Sequence, residues 1–204
     1  MLMSSNNDYL DRRIVKSKRA MKDALLSLMN EKDLKEISIS DIVRVADLNR
    51  GTFYKHFQYK EDILHEIMDE VITDLIESYR EPYKGVEVLE IKKLSTSAVK
   101  IFDHVYKYAK FYSHIVKTNT LTGFQNKFCT VLKDLVLTDL HDALTNSKID
   151  REIHANYQAY AILGMVVEWI NGGFKYSPQF MAEQLLEIIK YNRADSVVKP
   201  VIKK

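Results

Sequence analysis

An all-α fold is what this sequence predicts, and three observations carry the prediction. Gly and Pro are scarce, 6 and 3 in 204 residues, which disfavours the tight turns of an all-β protein and favours long helices. Apolar residues recur at helical spacing along most of the chain. The few punctuating residues that do occur sit where those periodic stretches end. The chain is long enough to bury a real core, and its make-up, 46% hydrophobic and 28% charged, is ordinary for a globular protein. A single cysteine, Cys129, excludes an intramolecular disulfide framework and fits a reducing compartment. The first ten residues are polar, so no signal peptide is expected, and no apolar run approaches the roughly 18 to 20 residues of a membrane span. The expectation is a cytoplasmic protein with no membrane partner.

The elements follow in order. Residues 1–10 are polar and aperiodic and read as a loose arm. A first helix is expected from Asp11 to Met29, with Ile14, Met21, Leu25 and Leu28 on one face and Lys16, Lys18, Arg19 and Lys22 elsewhere. Ser38 is a helix cap, and Asp41 three residues on completes a capping-box pair. Ile39, Ile42, Val43 and Ala46 form a short apolar face behind it. That helix stops near Asp47, and Asn49 caps a second short helix over Arg50–His56. Its Phe53 and Phe57 fall at i and i+4 on the buried side, while Arg50, Thr52, Tyr54 and Lys55 point outward or to the flanks. Two short helices across a tight turn, after a basic helix, make a helix-turn-helix. The expected division is a three-helix domain over 11–58, a helical body over 59–192 and a loose tail over 193–204. Within the body, helices are read near 59–81, 86–109, 111–118, 121–146, 150–172 and 178–191. Gly172-Gly173 marks one end, and Ser177-Pro178 marks the start of the last helix.

Charge is uneven. Residues 1–60 hold twelve Lys/Arg against eight Asp/Glu, a net of +4, so the total of +2 leaves −2 for the rest. Arg12 to Lys22 contains six basic residues and no acid. A basic first quarter on a slightly acidic body points to a nucleic-acid-facing end, with a solvated helix face as the alternative.

The stretch from Ser38 to Leu64, SISDIVRVADLNRGTFYKHFQYKEDIL, resembles the DNA-binding domain of the tetracycline-repressor (TetR) family, most specifically in GTFYKHF and the Lys60-Glu61 pair. The resemblance spans about residues 12–65. It implies that Arg50, Gly51 and Thr52, at the start of the recognition helix, meet base edges in the major groove. It implies that Tyr54, Lys55, His56 and Lys60 hold phosphates. Ser38 is expected to cap its helix and touch a phosphate, and Ser40 to face bases. Arg13, Lys16 and Arg19 are candidates for contact with the DNA backbone. One departure stands out: the family usually has Gly at the turn position held here by Asp47, where a left-handed conformation is needed.

The resemblance also implies that the C-terminal body dimerises and commonly holds an inducer. Trp169 to Leu185, WINGGFKYSPQFMAEQL, resembles the closing two-helix segment of a subgroup common in low-GC Gram-positive bacteria, in which two such helices pair with their copies. Tyr160, Ala161, Gly164, Val167 and Trp169 on one helix, and Met181, Leu185, Ile188 and Ile189 on the next, are the candidate dimer face. The alternative is that these faces pack inside one subunit. An aromatic set, Phe102, Tyr106, Phe111, Tyr112, Phe124, Phe128 and Tyr157, could wall a ligand cavity or simply be core. There is no Gly-rich phosphate loop, no His-Glu-x-x-His motif and no nucleophile elbow, and the local group Asp150, Glu152 and His154 reads as a solvated loop. No cofactor, no metal and no enzymatic activity are expected. The expected function is a homodimeric repressor on palindromic double-stranded DNA, released by a small-molecule inducer. The alternative is a co-regulator of the same fold that acts through another protein.

Overall fold

A computed structural model describes residues 4–84, 96–117, 121–139 and 148–191, and among these every regular element is helical. The α-helices are α1 (Ser4–Met29), α2 (Ile39–Val45), α3 (Arg50–His56), α4 (Lys60–Arg80), α5 (Ile101–Lys107), α6 (Ala109–Lys117), α7 (Leu121–Asp139), α8 (Arg151–Asn171) and α9 (Pro178–Tyr191). Short 3-10 turns lie at Leu34–Glu36, Glu81–Tyr83 and Thr96–Ala98. The tail expected over 193–204 lies outside the described residues.

Two expectations about boundaries are corrected. Helix α1 begins at Ser4 instead of Asp11: nothing in residues 4–10 stops a helix, and extending one already nucleated costs little. Ile14 is 37% exposed while Met21 and Leu25 are fully buried, because only the second half of α1 has neighbours to pack on. The helix expected over 86–109 is, in its described part, a 3-10 turn at Thr96–Ala98 followed by α5. Hydroxyl side chains such as those of Thr96 and Ser97 compete with the helical backbone for hydrogen bonds.

The turn between α2 and α3 explains Asp47. The amide of Leu48 donates to the Val43 carbonyl at 2.8 Å and that of Asp47 to the Arg44 carbonyl at 3.3 Å. This is a Schellman motif, with Asp47 at φ 53 in the position that favours glycine. The same motif ends α8: Gly173, at φ 68, donates to Ile170, and Phe174 donates to Trp169, each at 2.9 Å. Phe174 itself has φ 58, an unfavourable conformation for an aromatic residue. Its ring sits 5.0 Å from Trp169 and 5.8 Å from Tyr106, and the Trp169 indole N–H donates to the Tyr176 carbonyl at 3.0 Å. Those contacts hold the turn. The Ser177 hydroxyl then accepts from the Phe180 amide and caps α9.

One continuous core runs from Met21 to Leu185, and α4 passes through its middle. Ile63, Leu64, Ile67, Val71, Ile72 and Leu75 are all buried along it, and it packs on α1 as well as on α5 and α7. Toward its start, Glu66 takes Lys18 and Lys22 of α1, each at 2.7 Å. Toward its end, Asp74 takes Lys107 and buried His104, both of α5. The His104 ring fits this site as a neutral tautomer: Nδ1–H donates to Asp74 at 2.7 Å and Nε2 accepts from the Tyr112 hydroxyl at 2.9 Å. Burial pushes His104 below its usual value, and the Asp74 carboxylate pulls it up less than burial lowers it.

Two predictions follow from this geometry. Asp47→Gly relieves the left-handed strain and raises unfolding free energy by about 0.5–1 kcal/mol in urea titrations, whereas Asp47→Val lowers it by about 1 kcal/mol or more. For His104 the folded state binds fewer protons than the unfolded chain near its usual value of about 6.5, so the stability it contributes is complete above that pH and is lost as pH falls toward the lowered folded value. Wild type therefore loses stability between about pH 7.5 and 5.5, and His104→Gln, though less stable throughout, loses less over the same interval.

Candidate functional site

The candidate recognition surface is built on two helix caps, Ser38 and Asn49. The Ser38 hydroxyl accepts from the Asp41 amide at 3.1 Å and donates to its carboxylate at 2.9 Å. That carboxylate also takes Lys32 at 2.9 Å. The Lys32 ammonium and the Ser38 amide hold Asp41 far below the usual carboxylate range, so the start of α2 stays knitted at any ordinary pH. At α3 the Asn49 side chain accepts from the Thr52 amide at 2.8 Å and from its hydroxyl at 3.1 Å. A Cβ on Gly51 would meet the Asn49 side-chain Oδ1 at 3.2 Å, so glycine at this position leaves room for the cap.

Phe53 and Phe57 are buried, as their spacing predicts. This turns Arg50, Gly51, Tyr54 and Lys55 outward, with Thr52 half-buried. Arg50 reaches the Tyr54 hydroxyl at 3.4 Å. The Thr52 hydroxyl proton is directed at Asn49, so toward a base this side chain offers lone pairs and a methyl group. Ser40 is exposed on α2, and Arg13, Lys16 and Arg19 are exposed along α1, where Arg19 pairs with Asp23 at 3.9 Å. Of the six basic residues from Arg12 to Lys22, Lys18 and Lys22 turn to α4, and Lys18 also lies 5.2 Å from the centre of the Phe57 ring.

Three of the residues expected to hold phosphates are engaged or half-buried within the fold. Lys60 donates to the carbonyls of Leu34 at 2.6 Å, Lys35 at 3.2 Å and Ile37 at 2.7 Å. Its three N–H bonds are all engaged within the fold. The Ser38 O–H is likewise committed to Asp41. His56 is half-buried, and burial together with the nearby Lys18 and Lys55 charges pushes it below its usual value, so at neutral pH it offers a phosphate a neutral N–H.

In the C-terminal body, Phe102, Phe111, Phe124 and Phe128 are buried. Phe111 and Phe124 meet edge to face at 5.1 Å, Phe124 lies 6.1 Å from Phe128, and Phe102 meets Trp169 at 5.7 Å. They form core. Tyr106 and Tyr157 do not join them: Tyr106 is exposed and stacks on Trp169, and Tyr157 is on the outer face of α8. A cleft of about 210 Å³ lies beside this core, lined by Ser78, Glu81, Lys100, Asp103, His104 and Lys107. The candidate dimer face also divides. Tyr160, Ala161 and Gly164 are exposed on α8, Val167 and Ile189 are half-buried, and Trp169 and Leu185 turn into the subunit's own core. Ile153 and Tyr157 join the exposed α8 face, with Phe180 and Ile188 exposed on α9. Neither the His104–Asp74 pair nor the carbonyl partners of Lys60 could be found from local spacing, because these contacts join residues distant in sequence.

No helix among the described residues is long and apolar enough to cross a membrane. Residues 23–67 match the family of bacterial regulatory proteins called tetR, and residues 92–191 match a transcriptional regulator C-terminal region. The chain is 22% identical over 174 residues to the uncharacterized HTH-type transcriptional regulator YxbF of Bacillus subtilis, covering 85% of this chain but only 44% of that protein's length. It is 24% identical over 176 residues to the HTH-type transcriptional repressor KstR2 of Rhodococcus jostii, covering 82% of this chain and 86% of that protein. Its fold is like that of the dihydroxyacetone kinase operon activator DhaS, with a TM-score of 0.60 at 20% identity over 86% of this chain and 95% of the other. The chain belongs to the TetR family of DNA-binding transcription regulators, with a TetR-type C-terminal region.

Proposed function

We propose that the chain acts as a homodimeric repressor that occupies a palindromic operator and is released by a small-molecule effector. The observation that carries this reading is α3, a helix capped by Asn49 and anchored by Phe53 and Phe57, which turns Arg50, Tyr54 and Lys55 to solvent. Arg50 and Thr52 read bases, and Tyr54 and Lys55 hold phosphates, in a groove that admits one helix. Two copies of α3 meet half-sites about one turn of DNA apart.

Dimerisation is supported by the outer face of α8. Gly164 sits in mid-helix, where glycine is less favourable than alanine by about 1 kcal/mol, and a Cβ there would touch nothing within the subunit. Exposed Tyr157, Tyr160 and Ala161 flank it. Close approach of a second helix gives the glycine a reason. The cleft beside His104 supports an effector site, since a ligand there would bear on Asp74 and so on α4. Repression needs occupancy of DNA alone, and KstR2 is named a repressor. DhaS is named an activator, so the sign is tested directly: deleting the gene should raise transcription from a reporter carrying its upstream region, and a fall would reverse the assignment.

Two predictions test the roles. On an operator selected from random duplexes, Arg50→Ala and Thr52→Ala weaken binding and relax base preference, each lost base contact being worth about 1–3 kcal/mol. Tyr54→Phe and Lys55→Ala weaken operator and scrambled DNA alike, and Lys55→Ala reduces the salt slope by about one. Equal behaviour of the two groups sinks the division of roles. Ala161→Glu shifts the protein to monomer in sedimentation and lowers operator affinity at least about 100-fold, because the second half-site is no longer held by the same assembly. A dimer that persists unchanged removes α8 from the interface.

A further inference from the structure

The geometry points to Lys60 as a positioning residue that locks the first turn of α4 to the start of the helix-turn-helix, so that α2 follows α4 when α4 moves. Lys60 is the first residue of α4, where the positive end of the helix dipole disfavours a cation. The three carbonyls it meets offset that. They belong to Leu34, Lys35 and Ile37, the 3-10 segment and the residue after it; the Leu34 carbonyl also accepts from the Ile37 amide at 3.2 Å, and Lys60 adds a second donor there. A tetrahedral ammonium with three donors satisfies three acceptors converging on one point.

The next links are short. Ile37 is buried at 1% exposure and is followed at once by Ser38, the cap of α2. A shift of the α4 start therefore bears on the α2 cap through one side chain, without passing through α3. On the other side, Glu66 holds Lys18 and Lys22 of α1 one to two turns further along α4. The start of α4 is thus tied to both helices that frame the recognition unit, and Lys60 is the tie to α2.

The test compares Lys60→Met with Lys60→Arg in the full-length protein. Arg keeps the charge, but its planar fork cannot aim at three converging carbonyls. The first readout is amide hydrogen exchange without DNA at Glu36, Ile37, Asp41 and Ile42, whose amides bond within this segment. The second is affinity, across a range of salt concentrations and well below the melting temperature of each variant, for a duplex selected by wild type from random sequence. Positioning predicts exchange at least about 10-fold faster at those amides in both variants, a similar loss of affinity of about 10-fold in both, and a salt slope equal to wild type. The inference is overturned if exchange is unchanged, if Arg binds as wild type does, or if the Met variant loses about one unit of salt slope, the mark of a direct phosphate contact. Should Lys60→Met not fold, Lys60→Arg decides by its exchange and its affinity.

Discussion

Helix α4 cannot shift without disturbing both ends of the molecule, because it is buried on two sides at once. Ile63, Leu64 and Ile67 in its first half, and Val71, Ile72 and Leu75 in its second, belong to one continuous core. Closely packed interiors do not deform smoothly; they move between discrete arrangements. The polar contacts follow the same plan, with Glu66 facing α1 and Asp74 facing α5. The lysine–carboxylate pairs here are half-buried and still open to solvent screening, so each contributes modestly. Their role is directional, because each fixes how one neighbour sits against α4. Buried His104 differs in kind: its two ring nitrogens are both satisfied, and removing either partner would strand a polar atom in an apolar setting.

The helix-turn-helix was legible because its determinants are local. Ser38 with Asp41, Asn49 with Thr52, and Phe53 with Phe57 act over three or four residues, which is the range that sequence spacing encodes. Even the Asp47 turn, where the residue type departs from the family habit, was marked by its neighbours. Lys60 and Leu34 are 26 residues apart, and His104 and Asp74 are 30 apart. No periodicity carries such pairs. A lysine in the first turn of a helix has the same local signature whether it holds a phosphate or a carbonyl.

The C-terminal body was readable as helices but not as faces. A helix such as α8 is apolar around most of its circumference, so Trp169 and Tyr160 look alike in a helical projection. Only their neighbours separate them: Trp169 meets Phe102 and Phe174, while Tyr160 meets solvent. Tyr106 and Tyr157 escaped the aromatic core for the same reason. The phenol tolerates both surroundings, and sequence alone does not say which one it has.

The turn from α8 to α9 has a consequence for how subunits would meet. Phe174, held in a left-handed conformation against Trp169, sets the angle between these helices within a single chain. A surface made from both helices is therefore finished before any partner arrives. Association on that face would be a collision of ready-made shapes, with little folding left to complete afterwards. Its rate would then be governed by diffusion and orientation, and a freshly made subunit would become competent as soon as it meets its match.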